Sequence, residues 1–100
     1  MSRAMTKRGE LKDMDAFEET IRANAVEYNV VGFTPRQNSK LYATFKMLWA
    51  AQSYAQDLIK QPLGLRCLMI YAIDDQEHHA LVCTVNQYDK EIKMVEPKRH

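Results

Sequence analysis

The sequence predicts an α+β domain. It has a small, mainly antiparallel four-stranded sheet, one long helix on one sheet face and a shorter N-terminal helix, in the order α-β-α-β-β-β. Three observations lead there. From Arg36 to Lys60 the chain has no Gly or Pro and carries apolar residues at helical spacing. Three apolar segments follow, separated by polar connections of hairpin length. Gly and Pro number only three each, which leaves little room for long loops.

Residues 1–12 lack periodicity and read as a flexible basic arm. A first helix is expected from Asp13 or Asp15, because Asp15 and Glu18 have the spacing of a capping box. Met14, Phe17, Ile21 and Ala25 would share one face. YNVVGF, 28–33, reads as a short strand. Thr34 then suits a helix N-cap, Pro35 the first helical position and Gln37 the return bond to the cap, with Ser39 as a competing cap. Leu41, Phe45, Leu48, Gln52, Ala55 and Ile59 form the stripe of this long helix. Tyr42, Trp49 and Leu58 widen it, so all three are expected in the core. QPLG, 61–64, ends the helix. RCLMIYAI (66–73), ALVCTVN (80–86) and KEIKMV (90–95) are the remaining strands. One domain is expected over 13–96, with a basic tail at 97–100.

A turn centred on Asp75 and Gln76 would set Ile70 opposite Leu81 and Leu68 opposite Cys83. Val85 opposite Ile92 would bring Cys83 to Met94. Leu68, Ile70, Leu81, Cys83, Val85, Ile92 and Met94 then face the long helix, and a slip of one residue would exchange the faces. Cys67 and Cys83 fall on opposite sides and cannot bond. The other face, with Cys67, Met69, Tyr71, Ile73, Ala80, Val82, Thr84 and Lys93, is too apolar to lie in water. Either the first helix or another protein covers it.

A chain of 100 residues with 46% hydrophobic content can bury one core. The net charge of +1 makes no case for nucleic acid or membrane, but the charge is uneven. Residues 1–12 are net +3 and the tail +2, around a body of −4. No apolar run approaches the ~18–20 residues of a membrane helix, and no signal peptide is expected. Two cysteines suit a reduced, cytoplasmic protein.

DDQEHH, 74–79, gathers the densest set of chemically active side chains. Adjacent histidines in a strand point to opposite faces, and the carboxylates are turn formers, so a polar hairpin tip is expected and no metal site. GFTPRQNSK, 32–40, lacks the phosphate-loop spacing and reads as ordinary helix capping, with an anion on free helix amides as the rival. Tyr54 and Tyr88 fall off the main stripe and are candidates for exposed contacts. Cys67 and Cys83 read as small buried hydrophobes, and no serine stands in a nucleophile elbow.

The order of a strand, a helical segment and three antiparallel strands is similar to that of the ribosome-dependent RNase toxins of toxin–antitoxin pairs. Arg66 through Asp74 resembles their middle strand. The resemblance implies RNA cleavage supported by basic side chains, for which Arg66, Lys90 and Lys93 are at hand.

The residues themselves lead to a different expectation. This is a small non-enzymatic protein-binding regulator or inhibitor, needing no cofactor, with a protein partner or a second copy of itself. Accessory proteins of phages and mobile elements that act on host complexes are of this size. Tyr54, Tyr71, Ile73, Asp74, Asp75 and Glu77 are the expected partner contacts. The alternative is nucleic-acid binding through Arg3, Lys7, Arg8, Arg36, Lys40 and Lys46. No membrane association or small-molecule substrate is expected.

Overall fold

A computed structural model describes residues 16–36 and 38–95. The expected arm (1–12), tail (97–100), helix start at Asp13 to Asp15 and cap contact of Gln37 lie outside these. The chain runs through a helix α1 (16–23), strands β1 (Glu27–Phe33) and β2 (Ser39–Phe45), helix α2 (Leu48–Ile59), and strands β3 (Cys67–Ile73), β4 (His79–Asn86) and β5 (Ile92–Met94). The architecture is α+β. A single antiparallel sheet in the order β2-β1-β3-β4-β5 carries α2 on one face.

Among the described residues the sheet has five strands where four were expected, because the first third of the expected long helix is a strand. Thr34 does not cap a helix. Its N–H bonds to the Asn38 carbonyl at 3.1 Å and closes a hairpin between β1 and β2. Spacings of three and four through Leu41, Phe45 and Leu48 are compatible with a helix, but Lys40-Leu41-Tyr42-Ala43-Thr44-Phe45 is also close to period two. Tyr, Thr and Phe favour a pleated surface, and pairing along β1 decides the outcome. Gly32 explains how the hairpin closes. A Cβ there would lie 2.6 Å from Tyr42 Cε2 and 2.9 Å from Leu65 Cδ2, so only glycine admits the Tyr42 ring.

Helix α2 presents Ala51, Ala55 and Ile59 to the sheet. They pack on Val30, Leu68, Ile70, Cys83 and Val85, with Leu65, Ala72 and Val82 completing the buried cluster. Each large aliphatic side chain buried there is worth about 1.5–3 kcal/mol. Two alanines at the contact bring the helix backbone close to the strands. Trp49 lies about 120° round the helix from that contact face and is 67% exposed, against the expectation of a core role. Leu41 is likewise exposed, in β2. Tyr42 and Phe45 do pack against the core, as do Leu48 and Leu58.

The second hairpin is paired as expected, with Val85 opposite Ile92 and Cys83 opposite Met94. The first is shifted. Ile70 faces Cys83 and Leu68 faces Val85, and a bulge between Ile70 and Tyr71 then sets Tyr71 opposite Leu81. The two-residue shift keeps Leu68, Ile70, Cys83 and Val85 on the α2 face. The bulge moves Leu81 to the other face and lets Val82 join the core cluster. Cys67 and Cys83 are free thiols on opposite faces. Burial pushes both pKa values up, that of Cys83 against a weak bond from Gln52. No helix among the described residues is long and apolar enough to cross a membrane.

Candidate functional site

The two sheet faces are finished differently. Opposite α2, the pairing lays side chains out in rows. Ser39, Phe33, Cys67 and Asn86 form one row. Leu41, Val31, Met69, Thr84 and Lys93 form the next, across all five strands. Thr44, Asn29, Tyr71 and Leu81 form the third. A last row has Glu27, Ile73 and His79. Ile73 is the one buried member of these rows; the rest are half-buried or exposed. Two internal bonds order the face: Thr44 donates to Asn29 Oδ1 at 2.6 Å, and the Tyr71 hydroxyl lies 3.3 Å from Met69 Sδ.

Helix α1 covers one end of this face. Arg22 Nε donates to the Leu81 carbonyl at 2.8 Å, and its guanidinium also meets Glu18 at 3.4 Å. The Val26 N–H bonds to the Ile73 carbonyl at 2.8 Å. Ile21 is buried, and Phe17 meets the His78 ring edge-on at 5.0 Å while staying half exposed. The first helix, one of the two expected covers of this face, therefore reaches only its end, as far as the described residues go. Val31, Phe33, Leu41, Met69 and Tyr71 form an apolar surface beyond these α1 contacts.

DDQEHH is a hairpin tip. Asp74 Oδ1 accepts the Gln76 and His78 N–H groups at 3.0 and 2.8 Å, and its other oxygen lies 3.1 Å from His78 Nδ1. Desolvation pulls the Asp74 pKa upward, but the bonds from His78 and Gln76 outweigh it and hold the carboxyl below its ordinary value. Glu77 takes a left-handed conformation (φ 65°) to complete the turn. Asp75 and Glu77 are exposed. Among the described residues no three His, Cys, Asp or Glu side chains are grouped to hold a metal ion.

The expected contact residues are not one surface. Tyr71 is at the centre of the open face. Ile73 is 5% exposed and serves packing, not contact. Asp74 is spent on its own turn. Tyr54 is on the α2 side of the sheet, its ring 5.3 Å from that of Phe45. Val31, Phe33 and Leu41 are members of the surface that local pattern does not single out, because they join it only where β1 and β2 pair beside β3. Of the expected nucleic-acid residues, Arg36, Lys40 and Lys46 fall along β2 and its flanks, while Arg3, Lys7 and Arg8 lie outside the described residues. After Gly32 neither the expected helix capping nor the helix amides of the rival anion reading exist, since that segment is a hairpin. Of the residues for RNA cleavage, Arg66 precedes β3, Lys90 sits in the β4–β5 turn, and Lys93 is paired with Asp89 at 2.7 Å. No family model matches the chain, and no curated protein or solved structure matches it.

Proposed function

We propose that this chain is a non-enzymatic protein-binding module that regulates or inhibits its partner, and that the open sheet face is its contact surface. One observation supports the reading above the others: half of a five-stranded sheet presents large apolar side chains with nothing described above them. Such a face costs free energy in water, and a partner protein removes that cost by burying it. Its mixture of Tyr71, Met69 and Phe33 with Asn29, Thr44 and Thr84 suits an interface that must also exist unbound.

The reading is tested by capture from a cell lysate with three chains: the natural one, Met69→Lys on the open face, and Gln56→Lys on α2. A protein retained by the natural chain and by Gln56→Lys but lost by Met69→Lys is the expected result. Sedimentation of the same chains reads self-association through the same face. If Met69→Lys changes neither the captured proteins nor the sedimentation, the open face is not the contact surface.

A further inference from the structure

We propose that the outer edge of β2 receives an extended acidic segment of the partner protein as a sixth strand. The inference rests on the protein-binding reading and adds a second point of contact beside the open face. The sheet order leaves two edges, and they differ. β5 has only three residues, and its one cation, Lys93, is already paired with Asp89. β2 has seven residues, no proline, and a backbone edge with no partner strand among the described residues. At ~3.3 Å per residue it offers a rail of roughly 20 Å.

Charge selects the occupant. From Tyr28 to Gln56 the sequence has no Asp or Glu, while Arg36, Lys40 and Lys46 fall before, within and just after β2. All three are exposed, and Lys40 Nζ stands 5.1 Å from the centroid of the Tyr42 ring. A second copy pairing along this edge would set two such cation sets along one seam with no carboxylate between them. Lysines and bulges are the usual protection of edges against self-pairing, and the bulge at Tyr42 adds to it. The lysines do not oppose an acidic strand, which would pair on either side of the bulge. Its backbone would take the edge hydrogen bonds, its carboxylates would meet the three cations, and an apolar side chain would cover Leu41, which is 52% exposed beside the open face.

The test uses a short synthetic peptide alternating glutamate with valine and threonine, the same peptide with lysine for glutamate, and a single-stranded oligodeoxythymidylate. Amide NMR signals and hydrogen exchange are followed over 39–45. The acidic peptide should shift these signals and slow exchange of the edge amides, and the lysine peptide should do neither. Arg36→Glu, Lys40→Glu and Lys46→Glu together, all exposed, should weaken the peptide by about tenfold or more. Lys90→Glu, a single charge reversal in the β4–β5 turn at the other side of the sheet, should leave peptide binding unchanged. No shift in 39–45, equal shifts with both peptides, or shifts with the oligonucleotide and no slowed exchange with the acidic peptide overturns the proposal. Failure here with partner capture still lost in Met69→Lys removes the edge and leaves the open face standing.

Discussion

The two faces of this sheet are built from the same strands, residue by residue in alternation, yet they meet different fates. Leu68, Ile70 and Val85 are sealed under α2, whereas Met69, Tyr71 and Leu81, one position away, stay half in water. Alternation distributes apolar side chains to both faces, but among the described residues only α2 lies over the sheet's length. The difference shows that hydrophobicity alone does not mark the core. Cover does, and here cover is set by two alanines that let α2 approach.

The comparison can be broken most directly by paired truncations. Ile70→Ala should cost about 2–5 kcal/mol of stability by urea unfolding, because a cavity opens beneath α2. Met69→Ala, its neighbour on the open face, should cost about 1 kcal/mol or less. Equal losses would mean that the open face is covered in the free protein. Gly32→Ala comes next, at about 1–3 kcal/mol, since the added methyl collides with Tyr42 and Leu65 on the α2 face. A smaller effect of opposite sign is expected at the α1-covered end. Glu77→Gly removes a left-handed glutamate and should stabilise the chain by about 0.5–1 kcal/mol.

The smallest effect depends on pH. Asp74 has a folded pKa below its unfolded value, so its contribution is present above the ordinary carboxylate range and lost as pH falls through the folded pKa. Asp74→Asn should therefore lower stability at neutral pH. The gap to the natural chain should close below pH 3.8, the ordinary value for this group. A gap that persists unchanged into acid would show that the turn depends on side-chain shape and not on charge.

Much of the fold was legible in local pattern. Alternation in CLMIYAI and the spacing of apolar residues in the last two strands fixed three strands and the second hairpin register. β2 was not legible, because Leu41, Phe45 and Leu48 satisfy helical spacing while the strand they belong to is decided by pairing with β1, a tertiary event. The bulge at Val82 was equally hidden and moved Leu81 across the sheet. Trp49 fits the helical spacing of the expected stripe, but the face that α2 turns to the sheet is set by Ala51, Ala55 and Ile59, which leaves Trp49 on the solvent side. Of the site, Tyr71 and the acidic tip were visible as residues. The surface itself depends on β1 and β2 lying beside β3, and no single stretch of sequence states that.

The central claim is that the face opposite α2 is the binding surface. Methyl NMR on addition of the captured partner tests it most directly. Signals of Val31, Leu41 and Met69 should shift or broaden, while those of Val30, Leu68, Ile70 and Val85 should stay in place. Perturbation confined to Met47 and Met94, the exposed methionines beside α2 and in β5, with Met69 unmoved, would contradict the account.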